Sequence, residues 1–237
     1  MTTIDQRDSH IIQLVSHFHQ LTTAQINELA FADSTSPMPC HRALRRMLAQ
    51  DFLMRVEHRL IGGQRGGSGQ YVYQLGWEGY RQYGEGPFRP WTTVNLHTLA
   101  IADVYVALVH LERQGLLSIL EYQTEPDCHT TVGRYDLKPD LYVDLERVTT
   151  DKDRNLKIWF EVDRGTERPI RIRTKLERYW HARQVNDITN WPIWPVIVWL
   201  VDTEKRATEL RRIVSKGPEE ARRIFRVMTM ADFIASF

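Results

Sequence analysis

The chain has 237 residues, room for one large domain or two small ones, with length slightly favouring two. Apolar residues at 42% and charged residues at 26% are values of an ordinary globular chain and argue against wholesale disorder. The 31 Lys and Arg nearly cancel the 30 Asp and Glu, and a net charge of +1 excludes a uniformly cationic nucleic-acid-coating protein while leaving room for local basic patches. Two cysteines, Cys40 and Cys128, cannot build a disulfide framework or a Cys-rich zinc site. The N-terminal stretch MTTIDQRDSH lacks the profile of a secretion signal. The longest apolar run, around Trp194 to Val201, is far shorter than the roughly 20 residues that span a bilayer. A cytoplasmic protein with no membrane partner is expected.

The charges are unevenly placed. Residues 1–36 carry Arg7 against Asp5, Asp8, Glu28 and Asp33. Residues 37–75 carry Arg42, Arg45, Arg46, Arg55, Arg59 and Arg65 against only Asp51 and Glu57. The stretch YGEGPFRPW, from Tyr83 to Trp91, concentrates Gly and Pro and reads as a linker or corner. The expected division is therefore a first domain over 1–86 and a second over 92–237.

In the first segment, Ile11, Ile12, Leu14, Val15, Phe18 and Leu21 follow the helical period. Thr22 and Gln25 have capping-box spacing and open a second helix carrying Ile26 and Leu29. After the polar turn 33–37, a third helix is predicted from about Pro39 to Gln50. It buries Cys40, Leu44, Met47 and Leu48 and turns His41, Arg42, Arg45 and Arg46 outward. Two alternating strands follow, with Met54, Val56 and Leu60 on one and Tyr71, Tyr73 and Leu75 on the other. Between them lies GGQRGGSG, with Arg65 among five glycines. Three helices and a hairpin with a flexible basic tip is the order of a winged helix-turn-helix. A helix of that kind fits the major groove, where arginine pairs with guanine edges or fixes phosphates. A Gly-rich tip allows close approach to a backbone, where Arg65 would meet phosphate. The alternative for Arg42, Arg45 and Arg46 is a plain solvated helix face.

The second segment reads as a long apolar helix from about Asn95 to Gln114, then strands near Leu117–Gln123, Tyr135–Leu145 and Lys157–Val162. A basic helix from Pro169 to about Gln184 follows, then a buried strand from Ile193 to Val201, a charged helix from Thr203 to Ser215, a strand near Phe225–Met228 and a short last helix. The whole chain is thus expected to be α+β: a winged helix-turn-helix followed by a mixed α/β domain. Residues 164–183 hold seven cations, Arg171 among them, against Glu167 and Glu177, and phosphate contact there is weighed against ordinary solvation.

Two short strings carry candidate chemistry, KPDLYVDLE at 138–146 and IWFEVDRGTE at 158–167. Period-two geometry points Glu161 and Asp163 to one face of a strand, with Asp140 on the neighbouring one. Three converging carboxylates suit a hard divalent cation such as Mg²⁺ or Mn²⁺, which can activate water and stabilise charge on a phosphodiester. If they do not share an ion, Asp163 is expected to pair with Arg171 or Arg173.

Pro139-Asp140 on one strand and Glu161 on the next, within an α-β-β-β-α-β order, resembles the PD-(D/E)XK nuclease superfamily. That resemblance implies Asp140 and Glu161 as metal ligands. The usual third residue is lysine; Asp163 stands there instead, and Lys175 on the following helix would supply a displaced cation. Over nearly its full length the chain resembles the replication-relaxation protein family of plasmids and mobile elements, through the winged-helix start, Pro139-Asp140, the string Glu161 to Glu167 and the helix with Lys175, Leu176 and Tyr179. The resemblance implies a protein that binds double-stranded DNA during replication, transfer or their regulation, with a nuclease-like domain that is not assured to be active. A Mg- or Mn-dependent endonuclease or nickase, and a DNA-tethered adaptor recruiting a replication or conjugation protein, are the alternatives. A homodimer would match paired half-sites.

Overall fold

A computed structural model describes residues 5–60, 69–148, 154–187, 189 and 191–237. The chain folds as two compact units, Met1–Val106 and Ala107–Phe237.

The first unit opens with α1 (Gln6–Phe18), capped by Asp5, whose side chain accepts from the Asp8 amide. Its buried residues Ile11, Ile12, Leu14, Val15 and Phe18 are those that the helical period selects. The helix stops at His19, which has a φ of 59°, so Leu21 belongs not to α1 but to a short strand, β1 (Leu21–Thr22). The expected capping box is present: Thr22 caps α2 (Thr23–Ala30) and exchanges hydrogen bonds with Gln25. α3 (Met38–Ala49) begins with proline in its first turn and buries Cys40, Ala43, Leu44 and Met47. β2 (Leu53–Leu60) and β3 (Gln70–Leu75) form the antiparallel hairpin, and β1 adds to its far side to give the order β1-β3-β2. As the middle strand, β3 buries Val72 and Tyr73 alike, so its simple alternation fails.

The sequence reading missed α4 (Trp77–Tyr83). Gly79 lets it sit close to β2, since a Cβ there would meet the Phe52 carbonyl oxygen at 2.2 Å. The stretch 83–91 lies inside this unit, which also takes in the start of α5 (Leu96–Arg113). The fastening is polar. Gln25 Nε2 donates to the Leu99 carbonyl at 2.8 Å and to Asp103 at 2.7 Å, while its Oε1 accepts from the Thr22 amide. Gln20 likewise donates to the Thr93 carbonyl and accepts from the Asn95 amide.

The second unit is built on a five-stranded sheet in the order β10-β9-β8-β7-β4. β4 (Leu117–Thr124) and β7 (Leu141–Arg147) run antiparallel to their neighbours, whereas β8 (Arg154–Asp163), β9 (Val196–Val201) and β10 (Phe225–Thr229) are mutually parallel. The strand expected over Tyr135–Leu145 is two. β5 (Thr130–Val132) pairs with β6 (Tyr135–Leu137) in a separate hairpin, and the chain then breaks at Lys138–Asp140 before β7. Pro139 has no amide to give to a ladder, which makes the break there.

α6 (Pro169–Val185) covers one sheet face through Ile172, Leu176, Tyr179 and Ala182. These pack with Trp159, Ile197, Trp199 and Phe225. α7 (Glu204–Val214) and α8 (Glu219–Arg222) flank the same cluster, to which they add Ala207, Leu210 and Ala221. On the other face Phe160 meets Phe233 of α9 (Met230–Ala235) edge-on at 5.2 Å. Among the described residues no helix is long and apolar enough to cross a membrane.

Gln25 closes a helix cap and bonds α5 at once, so Gln25→Ala removes a cap and leaves buried partners unpaired. A loss of about 2 kcal/mol or more is expected in denaturant melts. The exposed Gln114→Ala is expected to stay within about 0.5 kcal/mol of wild type. Equal effects of the two would contradict this role.

Candidate functional site

Two places bring the chemically capable side chains together, one in each unit. In the first, α3 turns a stripe of His41, Arg42, Arg45 and Arg46 away from its buried side. Arg42 and Arg45 have no ion-pair partner among the described residues. Arg46 differs: its Nε lies 3.0 Å from Asp8 Oδ2, and its terminal nitrogen lies 2.7 Å from each Asp8 oxygen. Asp5 stands farther off at 3.4 Å. The hydrogen bond to Asp8, with that residue's charge, raises the Arg46 pKa. Arg65, expected at the wing tip, lies outside the described residues. Arg55, which the sequence reading did not single out, is exposed on β2 and stacks over the Tyr71 ring at 3.8 Å. Its signal was an arginine in an alternating strand beside the Gly-rich loop.

In the second unit the acids sit where the parity of β8 puts them. Trp159, Glu161 and Asp163 share the face beneath α6 and α7. Asp140 precedes β7 beside Glu161: its amide donates to the Phe160 carbonyl, and its Oδ2 accepts from the Val162 amide at 2.6 Å. Glu161 is 1% exposed, and both its oxygens are bonded. Lys175 Nζ donates to Oε2 at 2.7 Å and the Tyr179 hydroxyl to Oε1 at 2.6 Å. Lys175 and Tyr179 are one helical turn apart, which puts both on the inner side of α6. Lys175 also reaches Glu167 at 3.1 Å.

Burial, and then the neighbouring Asp140 charge, push Glu161 up to about 8 against the pull of Lys175 and the Tyr179 hydrogen bond. Burial alone would lower Lys175, but the charges of Glu161 and Asp140 outweigh it and raise it. The Tyr179 hydroxyl is raised well above its ordinary value by burial and by the Glu161 charge. It is a neutral donor.

Asp163 takes a different partner from those expected. Arg206 Nε on α7 donates to its Oδ2 at 2.7 Å, and the Gly165 amide donates to its Oδ1 at 2.7 Å. Arg171 and Arg173 are exposed on α6 instead. Arg206 also donates to the Glu167 carbonyl, tying down the turn after β8. No local pattern pointed to Arg206, which is 43 residues from Asp163 in sequence.

The geometry therefore joins Asp140, Glu161 and Lys175, adds Tyr179, and gives Asp163 to Arg206. A divalent ion fits this donor set incompletely. The Lys175 ammonium already holds the cation position at Glu161, and Asp163 is neutralised by a guanidinium. No hydrolytic step through Mg²⁺ or Mn²⁺ follows from this arrangement.

Of the aromatics after Lys175, His181 stacks on Tyr135 at 5.8 Å and Tyr179 packs on Trp159 at 5.8 Å. Trp191 and Trp194 lie edge-on to Trp159 at 4.8 and 5.1 Å. Tyr179, Trp191 and Trp194 thus pack against Trp159. Residues 12–191, well over half of the chain, match the family model described as replication-relaxation. No curated protein and no solved structure matches the chain.

Glu161 binds its proton more tightly in the folded chain than in the unfolded one. The stability this supplies is complete below the ordinary value of 4.5 and is lost as pH rises through about 8. The melting temperature of wild type relative to Glu161→Gln is therefore expected to fall as pH rises from about 5 to about 8.5. A difference independent of pH over that window would contradict the assignment.

Proposed function

Because the chain belongs to the replication-relaxation family, we propose that it is a DNA-binding protein of a plasmid or other mobile element, acting in replication, transfer or their regulation. The first unit is read as a winged helix-turn-helix that places α3 in the major groove of double-stranded DNA. The observation that carries this reading is the pair Arg42 and Arg45, exposed one turn apart on α3 with no carboxylate partner among the described residues. Arginines without an internal partner keep their charge and their donors for phosphate oxygens or guanine edges. His41 shares the stripe. Arg55, stacked on Tyr71, would extend the contact along β2, and Arg65 is proposed to contact DNA as well. The second unit is read as a nuclease-like α/β module in which Arg171 and its neighbours on the outer side of α6 add a second phosphate-facing surface.

A second reading, a Mg- or Mn-dependent endonuclease or nickase, rests on Asp140, Glu161 and Lys175 standing at the positions that the nuclease resemblance implies, with Lys175 at the place an ion would take. It is separated from the first by incubating supercoiled plasmid with either ion. Nicking by wild type that is lost in Asp140→Ala and Glu161→Gln would promote the second reading, and an intact plasmid under both ions would leave binding as the function.

For the leading reading, the double variant Arg42→Ala/Arg45→Ala is expected to weaken binding to duplex DNA at least about tenfold at physiological salt. It should also flatten the dependence of log K on log salt by about 2. Fluorescence anisotropy titrations across a salt series measure both, and equal binding by wild type and the double variant would overturn the reading.

A further inference from the structure

Arg42, Arg45 and Arg46 look alike in the sequence, yet only Arg46 has its guanidinium occupied. Asp8, its partner on α1, is 5% exposed and engages it through both oxygens, in the fork-to-fork geometry that arginine makes with a carboxylate. Asp8 is itself placed by the start of α1, where its amide is bonded to the capping Asp5 at 2.7 Å. Asp5 also reaches the same guanidinium. Arg46 therefore faces two acids of α1. Arg42 lines the cleft between α1 and α3 with these residues and makes no ion pair among the described residues.

We infer that Arg46 is a positioning residue for DNA recognition: it pins α3 to α1 through Asp8, while Arg42 and Arg45 make the contacts with DNA.

The chemistry separates the two roles. To reach a phosphate, Arg46 would have to give up a bidentate bond and leave a buried carboxylate unpaired, which costs more than an exposed contact returns. Arg42 and Arg45 surrender nothing. The clamp also acts on geometry. It ties the C-terminal half of α3 to the first turn of α1, so the angle at which the exposed stripe meets a groove is set by an ion pair as well as by apolar packing. A misplacement of about 1 Å is enough to spoil paired hydrogen bonds at base edges.

This inference rests on the DNA-binding reading, and the salt dependence of binding tests the two separately. The full chain is titrated into a labelled random-sequence duplex over about 50 to about 300 mM NaCl, and the slope of log K against log salt is read for each variant. Arg42→Ala and Arg45→Ala are each expected to flatten the slope by about 0.9. Arg46→Ala is expected to keep the wild-type slope while binding more weakly at every salt concentration. Asp8→Asn frees the Arg46 guanidinium and is expected to steepen the slope by about 0.9. A residue that only held the fold together would give no such steepening. Far-UV circular dichroism checks that each variant is folded, and Arg46→Gln substitutes for Arg46→Ala should that variant unfold.

If Arg46→Ala flattens the slope as much as Arg42→Ala does, or Asp8→Asn leaves it unchanged, the positioning role is wrong while DNA binding stands. If wild type does not bind the duplex, or the Arg42 and Arg45 variants bind with the wild-type slope, the DNA-binding reading fails and the inference falls with it.

Discussion

A carboxylate buried in a sheet must find its counter-charge on another element, and much of the second unit follows from how Glu161 does so. Removing a charged group from water costs several kcal/mol unless it is paired and hydrogen-bonded. Glu161 meets that condition through two residues of α6, Lys175 and Tyr179. The register of α6 on the sheet is thus held by directional bonds as well as by the packing of Ile172 and Leu176. Asp163, two residues on, makes the same demand of α7 through Arg206. A third acid, Asp144, is met within the sheet by Lys157, its cross-strand partner in register. Each buried acid fixes one neighbour: α6, α7, or the pairing of β7 with β8.

The network is not balanced at Glu161. The Lys175 ammonium that meets Glu161 also serves Glu167, and the charge of the nearby Asp140 acts on both Glu161 and Lys175. Burial first, and then the Asp140 charge, raises Glu161, which marks it as a place in the sheet where a proton is readily held. Asp163 is met by the Arg206 guanidinium, which also serves Glu209, and by the Gly165 amide. The two acids that share a strand face in the sequence therefore have different partners, Glu161 the Lys175 and Tyr179 side chains of α6 and Asp163 the Arg206 side chain of α7.

How much of this was legible depends on the range of the interaction. Local periodicity found α1, α2, α3 and the hairpin of the first unit, because apolar spacing and the Thr22–Gln25 capping box are written within a few residues. It also placed Glu161 and Asp163 on one face, since strand parity is a local rule. The break at Pro139 was equally local and was overlooked because apolar residues lie on both sides of it. Arg206 was out of reach, since nothing near residue 206 announces a partner on β8. For the same reason Arg46 read as one of three equivalent arginines: helix phase separates exposed from buried, but not a free guanidinium from one held by another helix. Lys175 is legible through the family resemblance, whereas nothing in the sequence marks Tyr179, one turn on, as the second donor to Glu161.

Near-neutral net charge acquires a physical meaning from this pairing. The described cations that face buried acids, Arg46, Lys157, Lys175 and Arg206, are each held by an acid of their own unit. Neutralisation is therefore local and internal, and it leaves α3 and α6 with exposed arginines, Arg42, Arg45, Arg171 and Arg173, that make no ion pair among the described residues. A chain whose charges sum almost to zero can then present two concentrated positive faces without the self-repulsion of a uniformly basic protein. The same arrangement makes the buried acids the control points of those faces: removing Asp8 would add a cation to the first, and weakening the hold of Glu161 on Lys175 would loosen the helix that carries the second.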